Sequence, residues 1–73
     1  PVTSISFSMP ISANVKIAAY DIVGNQVGTI LNQTISAGTQ SVIWNAKKLP
    51  NGVYFIRMES GAFVRTQKVM FLK

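Results

Sequence analysis

The sequence has no cysteine, no histidine and only two acidic side chains, Asp21 and Glu59. Without cysteine there is no disulfide to support a small core, no thiolate nucleophile and none of the usual zinc sites. Two lone carboxylates do not readily supply the converging oxygens that a metal ion needs. Asp21 falls in a turn and Glu59 near a hairpin tip, at opposite ends of different strand pairs, which argues against a paired-carboxylate site. The five glycines are isolated turn residues, so no phosphate-cradling loop is present. Nothing supports a Ser–Lys dyad at Ser41. These absences argue against an enzyme and leave no catalytic, cofactor or metal site to expect. No apolar run approaches the ~20 residues of a membrane helix, and helical periodicity is missing throughout.

What remains is a chain of 73 residues, 48% apolar and 12% charged, which argues against disorder. Its length suits one domain, 1–73, burying about 60% of its unfolded surface. It starts at Pro1 with no Met and no signal-peptide pattern, and so reads as a fragment of a longer protein. The net charge is +5, from Lys16, Lys47, Lys48, Arg57, Arg65, Lys68 and Lys73 against the two carboxylates. Such an excess can attract an anionic partner. The charges form no run longer than two, so no nucleic-acid footprint is expected; keeping a β-domain soluble and guarding its edges is the favoured role.

Residues 3–9 alternate polar and apolar, which puts Ile5, Phe7 and Met9 on one face of a half-buried strand. Pro10 ends it. Residues 15–20 form the next strand, with Val15, Ile17 and Ala19 inward and Lys16, Ala18 and Tyr20 outward. Asp21-Ile22-Val23-Gly24-Asn25 is a turn in which Asp21 caps backbone amides. Residues 26–31 form a third strand, and its interior Gly28 suggests a bulge or a close approach. Residues 32–34 and 36–38 are turn-like, with Ile35 plugging the core between them. In the strand over 39–45, Val42 and Trp44 share one face, and Trp44 is a core or near-core residue whose indole N–H needs a partner.

Pro50-Asn51-Gly52 is a dense turn signal, and residues 53–58 after it are rich in aromatic and β-branched side chains. Ser60-Gly61 turns the chain again into a last long strand over 62–72. Tyr54, just after a Gly-containing turn, fits the tyrosine corner of immunoglobulin-like sandwiches, or else is only a half-buried strand residue. A two-residue loop at Ser60-Gly61 would set Arg65 opposite Ile56. A three-residue loop would set Met58 opposite Val64 and Ile56 opposite Thr66; it packs better and is preferred. Phe7, Phe63 and Phe71 fit core positions, whereas Tyr20 and Phe55 point outward and keep a carbohydrate platform open. Val69-Met70-Phe71-Leu72 is apolar on both faces, so this strand is either covered on both sides or offers its outer face for docking. Six or seven short strands, with turn signals about every 8–12 residues, predict a small antiparallel immunoglobulin-like β-sandwich.

The order of Ile5-Ser6-Phe7-Ser8-Met9-Pro10, Tyr20-Asp21-Ile22-Val23-Gly24, Ala37-Gly38-Thr39, Gly52-Val53-Tyr54-Phe55 and a Lys-flanked apolar end resembles the type A C-terminal sorting domains of the type IX (Por) secretion system of Bacteroidetes. It is similar, less specifically, to the immunoglobulin-like domain of flagellar hook-capping proteins. The resemblance implies a non-catalytic module of a longer exported protein, secreted or held at the cell surface. Its implied partners are the outer-membrane translocon, a sortase-like peptidase and anionic lipopolysaccharide. The recognition strand of that family maps here onto Lys68, Val69, Met70, Phe71, Leu72 and Lys73, with Gly52, Tyr54 and Trp44 as expected structural anchors. Two other roles stand beside sorting: a carbohydrate-binding or spacer module of an extracellular glycoside hydrolase, and an assembly domain like the flagellar one.

Overall fold

The computed structural model describes residues 2–72. Among them, six antiparallel strands form two sheets. β1 (Val2–Met9) pairs with β4 (Gly38–Asn45). The larger sheet holds β3 (Gln26–Ile35), β2 (Ala13–Tyr20), β5 (Gly52–Ser60) and β6 (Phe63–Phe71), in that spatial order. No described residue is helical, and the fold is the expected small sandwich of immunoglobulin-like type.

Side-chain alternation builds the core. Ser4, Ser6 and Ser8 of β1 face solvent, while Ile5, Phe7 and Met9 turn toward the larger sheet. Val15 and Ile17 of the central strand β2 are fully buried, and Ile35 and Ile56 close over them from β3 and β5. Ala18 was expected outward, yet it is buried. Its methyl is short and sits on the outer face between two longer cross-strand partners, Thr29 and Arg57.

β3 carries two bulges flanking Gly28. Ile17 faces Leu31 and Ala18 faces Thr29, so Ile30 is an extra residue; Val27 is extra in the same way between Gly28 and Gln26. A bulge breaks strict alternation. Ile30 and Leu31, neighbours in sequence, therefore both pack on the main core. The turn expected at 32–34 is instead strand. Asn32, Gln33 and Thr34 pair with Lys16, Val15 and Asn14 through the backbone, and their exposed polar side chains had read as loop.

The β5–β6 hairpin has neither register expected from sequence. Ser60 faces Phe63, Met58 faces Arg65 and Ile56 faces Gln67, around a two-residue loop of Gly61 and Ala62. Gly61 takes φ +59°, which suits the first loop position of a type II′ turn and so shifts the loop one residue later than the Ser60-Gly61 reading. Phe63, expected in the core, lies on the inner face of β6 but is 52% exposed. The smaller sheet has two strands against four: Trp44 of β4 covers Phe71 at the far end of β6, whereas residues 63–67 at its near end stay exposed.

Candidate functional site

The apolar C-terminal strand pairs with β5, and the turn that precedes β5 lies at the same end of the sheet. Gly52 has φ +153°, a conformation that L side chains rarely adopt, and this opens the turn into β5. Two residues on, the Tyr54 hydroxyl donates a 2.6 Å hydrogen bond to the Pro50 carbonyl, tying the strand back to its own turn. Upstream, the Leu49 N–H donates to the Ala46 carbonyl at 2.9 Å, and Ala46 is buried beside Tyr54.

Three rings meet at this end of the sandwich. Trp44 and Phe71 stand edge to face with centroids 5.1 Å apart; Trp44 and Tyr54 do so at 6.4 Å; Tyr54 and Phe71 are 5.7 Å apart and tilted. These separations fall within the range where aromatic pairs attract beyond simple burial. Trp44 is half-buried, and no buried side-chain nitrogen or oxygen among the described residues lacks a partner.

The tail residues divide by parity. Val69 faces Tyr54 and is half-buried, and Phe71 faces Gly52 and is 5% exposed. Lys68, Met70 and Leu72 are exposed, Met70 at 60% and Leu72 at 74%. The run that looked apolar on both faces thus has one face locked into the ring cluster and one open to solvent. Lys73 lies outside the described residues. β6 is also an edge strand, with β5 on one side only, so alternate backbone groups along its other side have no ladder partner among the described residues.

A second exposed apolar group was missed from sequence. One oxygen of the Asp21 carboxylate accepts the Val23 and Asn25 N–H groups at 3.1 and 2.9 Å. That cap folds the turn so that Ile22 and Val23 stand 73% and 77% exposed at its tip. The signal was legible, since two β-branched residues occupied turn positions that usually hold polar ones. Tyr20 faces Phe55, which faces Lys68, so this turn and the tail share one end of the larger sheet.

Tyr20 and Phe55 also lie side by side on the outer face, both half-buried, and border a shallow cleft of about 380 Å³ with Asp21, Arg57 and Thr66. The second carboxylate, Glu59, pairs with Arg57 at 3.0 Å. Ser41 shares a 3.2 Å hydrogen bond with Ser4 rather than meeting a lysine. No three potential metal-ligating side chains cluster among the described residues, and no helix there is long and apolar enough to cross a membrane.

The family model described as a secretion system C-terminal sorting domain matches residues 1–72. No curated protein and no solved structure matches the chain.

Proposed function

The chain belongs to the family of secretion system C-terminal sorting domains, and from that membership we propose that the solvent face and free edge of β6 are what the outer-membrane translocon reads. Members of this family are sorting signals for type IX secretion, so the protein that carries the domain is exported and engages that machinery. The observation that carries the finer reading is the division of the tail. Val69 and Phe71 fix the strand, and Lys68, Met70 and Leu72 are left outward on an edge that has no neighbour among the described residues. An extended strand of this kind offers main-chain hydrogen bonds for affinity and alternate side chains for specificity.

In this reading the domain works by recognition alone, without catalysis, and Gly52, Tyr54 and Trp44 serve as anchors of the recognition strand. A sortase-like peptidase then acts on the exported protein, and the cargo is retained at the surface on anionic lipopolysaccharide. The +5 charge of the chain favours that last contact.

The test is a secretion assay. Residues 1–73 are fused to the C-terminus of a periplasmically exported fluorescent reporter, in a Bacteroidetes host with and without a working translocon. The wild-type fusion reaches the surface or medium only with the translocon. Met70→Ser with Leu72→Ser stays folded and is retained in the periplasm. Secretion of that double variant at the wild-type level would remove the tail from recognition.

One observation favours a second reading. The adjacent Tyr20 and Phe55, with Arg57 and Asp21 at the same cleft, could stack a sugar ring and bond its hydroxyls. Glycan-array binding lost in Tyr20→Ala would establish it.

A further inference from the structure

We propose that the groove between β1 and β6 receives an extended, acidic and apolar peptide segment of a different protein, as a third strand of the smaller sheet. The groove has a volume of about 620 Å³. Ile5, Phe7 and Met9 of β1 form one wall, and Ile56 and Met58 of β5 form the floor. Phe63, Arg65 and Gln67, the inner face of β6, form the far side, and all three are exposed. No residue of β4 borders it. The space is therefore the one that a strand on the free side of β1 would fill.

The backbone makes the same point. β1 has eight residues and a single neighbour, β4, so alternate N–H and C=O groups along its other edge have no ladder partner among the described residues. A segment of about eight residues, rising ~3.4 Å per residue, would pair along this edge and turn every second side chain into the groove.

Charge defines the occupant. Arg65 projects from the inner face of β6, and its guanidinium has no ion pair among the described residues. No carboxylate lines the groove. A carboxylate on the incoming strand, flanked by apolar groove-facing side chains, complements this wall. A second copy of the chain is a poor source of it. The copy's Asp21 is bound to its own turn amides and its Glu59 to Arg57. An acidic, apolar segment of another protein supplies the free carboxylate that the copy's Asp21 and Glu59 do not. This surface is separate from the outward residues of the tail, so it stands or falls independently of the sorting reading.

The test is selection of displayed eight-residue peptides against the 73-residue chain and against Arg65→Glu. The alternate positions of the peptides are varied among apolar, acidic and basic side chains. The wild-type chain is expected to select peptides with Asp or Glu between apolar residues at alternate positions. The synthetic peptides should shift the amide resonances of residues 5–9 and 63–67. Arg65→Glu, whose amide spectrum reports that it is folded, should bind them about tenfold more weakly and select basic residues instead. Absence of enrichment, the same selection by both chains, or shifts confined to the outer face of β6 would overturn the proposal. So would shifts of residues 5–9 and 63–67 with protein concentration alone, which would give the groove to a second copy.

Discussion

Replacing Phe71 with alanine tests whether the tail is clamped by the ring cluster. The ring is 5% exposed and touches Trp44 and Tyr54 at 5.1 and 5.7 Å. Truncating a buried Phe costs about 3–5 kcal/mol, counting lost transfer energy and the cavity left behind. Phe71 ends an edge strand, where neighbours can relax into the gap, so the lower figure of about 3 kcal/mol applies. A chain of 73 residues has a total stability on the order of 4–11 kcal/mol, at roughly 0.05–0.15 kcal/mol per residue. The substitution therefore removes a large share of it. Phe71→Leu keeps most of the burial and gives up the two ring contacts, at about 1–2 kcal/mol. Met70→Ala, one residue away and facing solvent, should change stability by less than about 0.5 kcal/mol. Urea titration followed by fluorescence suits this comparison, because Trp44 is the only Trp and lies against the mutated ring. A Phe71→Ala cost no greater than that of Met70→Ala would refute the clamp. The comparison also bears on sorting. Loss of secretion in Phe71→Ala reports release of the clamp, whereas loss in an outward variant of unchanged stability reports recognition.

Tyr54→Phe removes one partly buried hydrogen bond and keeps the ring, and should cost about 0.5–1.5 kcal/mol; an unchanged melting curve would deprive the corner of its structural role. Gly52→Ala should cost about 1–3 kcal/mol through backbone strain alone, since no atom lies within 4 Å of the added methyl. Denaturant midpoints equal to wild type would show that the turn relaxes freely.

The strands that sequence reading placed well were those whose alternation is enforced by burial on one face. β1 is the clearest case, with serines and apolar residues in strict exchange. The Asp21 cap was equally legible, because Asp at the head of a turn has a local hydrogen-bonding reason to be there. Errors arose where backbone pairing or the opposite layer decided the outcome. Asn32, Gln33 and Thr34 carry turn-like side chains, but β2 supplies ladder partners for their backbone, and that information lies in another segment. In the hairpin, side-chain packing favours a three-residue loop, whereas the positive φ available to Gly61 fixes a two-residue one. Phe63 looked like core because it has the right parity. Its exposure follows from how many strands lie opposite it, which no property of residues 63–71 encodes. The tail was located as a candidate from its apolar run, but its division into inward and outward residues needed the register with β5.

The unequal sheets have a dynamic consequence. A strand resists opening in proportion to the apolar surface it buries and the ladders it shares. β2 lies between two neighbours and carries the fully buried Val15 and Ile17. β6 has one neighbour, every residue from 63 to 68 is exposed, and burial begins only at Val69 and Phe71. Local opening should therefore start at the Gly61 loop and run along β6 until it meets the ring cluster. Native-state hydrogen exchange is expected to show the amides of β2 opening only with global unfolding. The ladder amides of residues 63–68 should exchange at least about tenfold faster, which corresponds to ~1.4 kcal/mol less protection. Phe71→Ala should remove the stop and carry fast exchange through to the end of the strand. A peptide bound in the groove would act in the opposite sense, slowing exchange on β6 by covering its inner face. Uniform protection along β6 in the free chain would refute the argument, because the strand would then be held by something other than the contacts described for it.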